Sequence, residues 1–165
     1  MLTRGKSVEV LAYTAGYFDG EGCVSIQTVK PTKPGRPIRH IAKVCVGSTD
    51  YAMILWLQVE FGGHVFPKSR THAKCKAVWG WQANNALAQS FCEMLLPYLR
   101  TKKRQAELLI RYMTEKKDFR GRGRMATPEE IAFRVGIAQQ ISDLNHDRRP
   151  QRLSETASRT EEAIV

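Results

Sequence analysis

The chain has 165 residues, 42% of them hydrophobic, and its 26 Lys and Arg against 16 Asp and Glu leave a net charge of +10. That length fits one ordinary domain with a substantial core. No apolar run is long enough to span a bilayer and the N-terminus lacks a secretory pattern, so a soluble, non-exported protein with no membrane partner is expected. The positive excess is the electrostatic footprint of a protein that meets a polyanion.

Ser7 can cap a helix whose first turn carries Glu9, and Val8, Leu11, Ala12, Ala15, Gly16 and Asp19 recur at helical spacing. Ala12, Gly16 and Gly20 lie four apart on one stripe, which lets a second backbone approach closely. Asp19 and Glu21 then fall at the C-terminal end of this helix, where its dipole disfavours each carboxylate by about 0.3–1 kcal/mol. A divalent cation would resolve that conflict. An ordinary amphipathic helix with a Gly-rich stop and two solvated acids accounts for the same residues.

Cys23 to Val29 alternates as a strand, with Val24 and Ile26 on one side and Ser25 and Gln27 on the other. The run KPTKPGRPIRH breaks it into a hairpin tip carrying Lys30, Lys33, Arg36 and Arg39, and Ile41 to Val46 returns as a second strand. Ser48, Thr49 and Asp50 precede a helix in YAMILWLQVEF, whose buried face is Met53, Ile54, Leu57 and Phe61 and whose stop is Gly62-Gly63. A second hairpin follows, with Lys68 and Arg70 on one face of its outgoing strand and Trp79 and Trp81 sharing a face on its return. Such a Trp pair fits a core or a nucleobase platform.

Asn84 and Asn85 are placed to cap a third helix with Leu87, Phe91, Met94 and Leu95 on its apolar side. PYLRTKKRQAELLIRYM predicts a fourth, its first turns bearing Arg100, Lys102, Lys103 and Arg104 and its stripe formed by Leu108, Leu109 and Met113. Cations at a helix start oppose the dipole, which suggests that they serve something outside the helix; a solvated lysine face is the alternative. After a basic connector around Gly121 and Gly123, Thr127-Pro128-Glu129-Glu130 starts a last helix to about Leu144, packing through Ile131, Val135, Ala138 and Ile141. Residues 1–145 form the expected domain and 146–165 a polar, partly disordered tail. Cys23, Cys45, Cys75 and Cys92 have no CxxC spacing and are expected to be reduced, mostly structural thiols.

The element order predicts an α+β fold: a four-stranded antiparallel sheet in α-β-β-α-β-β-α order, helices on one face and extra helices at the C-terminus. The other face, with Ser25, Gln27, Lys68 and Arg70, is left as a saddle for duplex DNA.

TAGYFDGEG, from Thr14 to Gly22, resembles the LAGLIDADG motif of homing endonucleases. FGGHV followed by LLPYLRTKKRQAELL resembles the spacing and second signature of their single-motif, homodimeric branch, over about Val8 to Met113. The resemblance implies that motif helices of two subunits pack together, through Ala12, Gly16 and Asp19 here. It implies that Glu21, with the Gly20 carbonyl, binds divalent metal beside the scissile phosphate, and that Lys102 is the basic catalytic residue at the site's edge. Lys103 and Arg104 would contact DNA. Two or three Mg²⁺ ions shared across the dimer are implied, with Mn²⁺ or Ca²⁺ able to replace them for binding. The implied activity is cleavage of both strands of a long, near-palindromic double-stranded DNA target of the intron or intein homing type. A noncatalytic DNA-binding regulator and an intron RNA maturase are the competing functions. Two departures stand out: the family more often has Asp where this chain has Glu21, and it places a solvent-ordering Gln where this chain has Gly47 or, in a shifted register, Ser48.

Overall fold

The computed structural model describes residues 5–33, 38–68, 76–116 and 126–146. Arg36, Arg70, Cys75, the connector around Gly121 and Gly123, and the chain from 147 onward lie outside the described residues. The elements are α1 (Val8–Glu21), β1 (Gly22–Val29), β2 (Arg39–Ser48), α2 (Tyr51–Phe61), β3 (His64–Lys68), β4 (Val78–Asn84), α3 (Ala86–Leu95), α4 (Lys103–Glu115) and α5 (Pro128–His146). The four strands form one antiparallel sheet in the order β1-β2-β4-β3, two hairpins joined through β2 and β4. The predicted α+β architecture is thus the observed one.

Local chemistry sets most boundaries. Ser7 Oγ accepts from the Val10 N–H at the start of α1, and Asp50 Oδ1 accepts from the Met53 N–H at the start of α2. Thr127 and Glu130 form a reciprocal capping box on α5, each side chain accepting from the other's backbone N–H. Gly62 and Gly63 end α2 at φ of 72° and 92°, a region that side-chain-bearing residues rarely occupy.

Strand parity sorts the sheet's faces. Val24, Ile26, Ala42, Val44, Val46, Trp81 and Ala83 are buried under the helices, whereas Ser25, Gln27, Lys43, Cys45, His64 and Gln82 are half-buried or exposed on the other side. Phe91 of α3 is the hub of the covered side. Its ring lies 5.1 Å from Phe18 of α1, 5.1 Å from Phe61 of α2 and 5.0 Å from Trp81 of β4. Trp81 is fully buried and its indole N–H donates to the Gly62 carbonyl at 2.7 Å, so it is a core residue. Trp79 shares that face and packs on Tyr51.

Several expectations need correcting. Arg100 and Lys102 precede α4 instead of lying in its first turns, because the chain there wraps around Asp19. Asn84 ends β4, and Asn85 sits at the α3 N-cap position without a side-chain capping bond, at φ 49°. Leu87 is exposed, and α3 packs through Ala88, Phe91, Cys92 and Leu95. On α5, Ile131 and Val135 are exposed; the face is Arg134, Ile137 and Ile141, with Ala138 beside it. Both stripes have helical spacing, and the one turned toward β1 and α4 is buried; Arg134 on it lies close enough to Tyr112 and His40 to affect the ionisation of both.

Trp81→Ala should cost about 3–5 kcal/mol through the cavity beside Phe91 and the orphaned Gly62 carbonyl. The shift of the urea midpoint at unchanged slope measures it.

Candidate functional site

Asp19 lies in the last turn of α1, and its carboxylate is engaged inside the chain. Oδ2 accepts from the Arg100 N–H at 2.8 Å, and Oδ1 accepts from the Thr101 and Lys102 N–H groups at 3.1 and 2.8 Å. Its carbonyl oxygen accepts from Thr101 Oγ1 and from Lys102 Nζ. The carboxylate therefore caps the approach to α4 from 83 residues away, and supplies the negative charge that the cationic start of α4 lacks in its own sequence. Burial pushes the Asp19 carboxyl up, but the Arg100, Lys102 and Thr101 hydrogen bonds outweigh it and hold the group below the usual carboxylate range. Lys102 is 6% exposed and its ammonium is anchored on this junction.

Two residues on, Glu21 ends α1 and is exposed. No loop separates it from β1. Phe18 lies over Gly22 so closely that a Cβ there would overlap its ring, so glycine is required at the joint. The Phe18 carbonyl is taken by the Gly22 N–H and that of Asp19 by Thr101 and Lys102, which leaves Gly20 the next end-of-helix carbonyl. Glu21 lines a surface cleft of about 430 Å³ with Tyr17, Gly47, Ser48, Thr49, Asp50 and Val78.

Gly47 and Ser48 occupy different sides of β2. Gly47 has the parity of Lys43 and Cys45 and faces the open side; Ser48 has the parity of Val44 and Val46 and accepts from the Asp50 N–H. Both residues nevertheless line the cleft with Glu21. Gly47 is not empty space either: the Lys68 ammonium, reaching from β3, lies where its Cβ would be. A cation thus stands at the rim of the cleft that Glu21 lines.

The remaining predicted residues spread over two regions. Ser25 and Gln27 on β1, Arg39 on β2 and Lys68 on β3 lie on the open face, and Lys30 and Lys33 are exposed beyond β1. Lys103 and Arg104 are exposed on α4, not on the sheet, and Arg104 pairs with Glu107 at 3.4 Å. Sequence reading missed Lys43, which stands in register between Ser25 and Asn84 on the open face. The alternation that buries Ala42, Val44 and Val46 was the signal for it. Tyr17 and Asp50 in the cleft were also missed, and no local pattern marks them.

Ala12, Gly16 and Gly20 are all exposed, and a Cβ added at Gly16 or Gly20 would meet nothing within 4 Å. Among the described residues, no three His, Cys, Asp or Glu side chains converge where they could hold a metal ion. Glu21 and the Gly20 carbonyl are hard oxygen donors of the kind Mg²⁺ takes, and they fit such an ion as part of a ligand set. No described helix is long and apolar enough to cross a membrane.

No protein-family model matches the sequence and no curated protein matches it. Solved structures do match. The homing endonuclease I-CvuI in complex with its target aligns at a TM-score of 0.65 and 22% identity over 82% of both chains. The fold is that of the LAGLIDADG homing endonucleases. The homing endonuclease I-TnaI aligns at a TM-score of 0.58 and 15% identity, over 83% of this chain and 96% of its own. The LAGLIDADG homing endonuclease I-SmaMI, bound to cleaved DNA, aligns at 0.61 and 14% identity over 90% of this chain and 48% of its own. This chain therefore spans about half of I-SmaMI and most of I-CvuI.

Asp19→Asn should lower stability by about 1 kcal/mol at pH 7, a modest value because the carboxylate is partly exposed and screened. Its folded pKa lies below the unfolded value of about 3.9, so the stabilisation is complete above that pH and is lost as pH falls through the folded pKa. Urea titrations of both proteins between pH 7 and about pH 2 should converge at the acid end.

Proposed function

We propose that this protein is a homodimeric, Mg²⁺-dependent endonuclease that cuts both strands of a long, near-palindromic DNA site of the intron or intein homing type. The observation that carries the reading is the pairing, on one helix, of an exposed carboxylate facing an open cleft with a stripe of small exposed residues. Two copies meeting along Ala12, Gly16 and Gly20 would bring two Glu21 side chains together, and with them the like charges that a metal neutralises. One acid per chain and two strands to cut require two chains. Half-sites about one helical turn apart, about 10 bp, follow from the two-fold symmetry. The DNA-bound state of I-CvuI and I-SmaMI supports duplex DNA as partner, and the presence of Ca or Mg with I-CvuI supports a divalent ion.

Glu21 and the Gly20 carbonyl would hold the ion, within a set of two or three shared across the dimer. Bound Mg²⁺ supplies an activated water, charge stabilisation of the pentavalent phosphate and a neutralised leaving oxygen. The chain's own residues do the rest. Asp19 and Lys102 fix the end of α1, and so the position of Glu21, while Lys102 adds positive charge at the site's edge. Lys68, over Gly47, holds a second cation against the phosphate backbone. Ser25, Gln27, Arg39 and Lys43 face the groove, with Lys30 and Lys33 extending the basic surface and Lys103 and Arg104 reaching backbone phosphates.

Glu21→Gln should abolish cleavage of DNA selected from a randomised library with Mg²⁺ while retaining binding. Enrichment of bound sequences without cut ends by the wild type would instead identify a regulator, and preference for structured intron RNA in competition would identify a maturase. Gly16→Leu places a side chain in open space on the protomer, so the protomer should still unfold cooperatively while sedimentation reports monomer, its melting temperature no longer depends on protein concentration and double-strand cleavage is lost.

A further inference from the structure

Cys23 and Cys45 are far apart in sequence but directly opposite in the antiparallel β1–β2 register, on the open face of the sheet. Opposed residues in such a pair have Cα atoms about 4.5–5.5 Å apart. A disulfide needs about 4.4–6.8 Å, so the Cα spacing of this pair falls within the range that the bond requires. Both thiols are half-buried and within reach of a small solute, unlike Cys92, which is 1% exposed in the core. The surroundings distinguish the two further. The Cys23 thiol donates to the Val24 carbonyl; its proximity lowers the Cys45 thiol against the effect of burial, and the Lys43 and Lys68 ammonium groups on the same face add to the lowering. A thiolate among cations with a second thiol opposite it is the arrangement in which a nucleophilic and a resolving cysteine work together. Nothing in the core calls for this pair, since neither side chain is among the buried residues beneath the helices.

We propose that Cys23 and Cys45 form a peroxide-oxidisable dithiol, a redox modification site on the open face that alternates between two thiols and one cross-strand disulfide. Cys45 Sγ attacks one oxygen of hydrogen peroxide, the O–O bond breaks, and hydroxide leaves to take up a proton as water. The sulfur, oxidised by two electrons, is a sulfenic acid. Cys23 Sγ attacks that sulfur, the S–O bond breaks, and the oxygen leaves as a second water with the proton from Cys23. Two thiols and one peroxide thus become one disulfide and two waters, the sulfur pair losing the two electrons that peroxide gains. A thiol reductant reverses it by exchange. The chemistry is independent of the nuclease reading, because it uses neither Glu21 nor DNA.

The test uses the full chain, reduced, freed of reductant and treated with hydrogen peroxide before alkylation, digestion and mass spectrometry. The expected product joins the Cys23 and Cys45 peptides, with two free thiols lost and both restored by dithiothreitol. In Cys23→Ser, dimedone should trap a sulfenic acid at Cys45 about tenfold faster than at Cys92. In Cys45→Ser the cross-link should vanish and Cys23 should remain alkylatable. Oxidation of Cys75 or Cys92 before Cys45, a linkage from Cys45 to Cys75, or an unlinked Cys23–Cys45 pair under excess peroxide would overturn the proposal.

Discussion

One carboxylate serves two helix ends. Asp19 sits where the dipole of α1 is negative and a carboxylate is disfavoured, and it is held there because three amide groups before α4 donate to it. Those amides belong to a segment whose own side chains are cationic and which has no capping acid of its own. Each end supplies what the other lacks. The junction brings Lys102 under the end of α1 and sets the direction in which the chain leaves toward Glu21 and β1, so the cleft is where this bond network puts it.

Around that junction, crowding and openness alternate. Phe18 presses on Gly22 and on Phe91, which ties α1 through α3 to Phe61 and Trp81, so the helix carrying the acids is seated by the aromatic core. On the opposite stripe of the same helix, a Cβ added at Gly16 or Gly20 would meet nothing within 4 Å among the described residues. On the sheet, Gly47 leaves room that Lys68 enters from another strand. The charged lining of the cleft therefore comes from residues far apart in sequence, each placed by the packing of its own element.

What was legible in the sequence was what is local. The caps at Ser7, Asp50 and Thr127, the stop at Gly62-Gly63 and the alternation of β1 each depend on a few neighbouring residues, and all appear where the pattern put them. The buried face of α5 was not legible, because Ile131-Val135 and Arg134-Ile137-Ile141 both satisfy the helical period and the choice lies with α4 and β1. Placing Asn85 as a side-chain cap failed for a related reason: its N–H is drawn to the Ala42 carbonyl on the neighbouring strand. In the site, the positions of Asp19 and Glu21 at a helix end followed from spacing. The amides that receive Asp19, the Lys68 ammonium over Gly47 and the apposition of Cys23 with Cys45 depend on register and long-range contact, which one strand's pattern does not contain.

The joint at Gly22 has a further consequence for how such a chain can change. Because α1 passes into β1 without a connecting residue, the rotational phase of the helix and the parity of the strand are geared together. Adding one residue there would turn the end of the helix by about 100° relative to the strand, or else exchange the two faces of β1. Either outcome moves the acid, the small-residue stripe and the Ser25–Gln27 face out of step with one another. Sequence drift at this place is therefore confined to substitution. Length variation is left to the hairpin tips, where it alters reach without disturbing the gear.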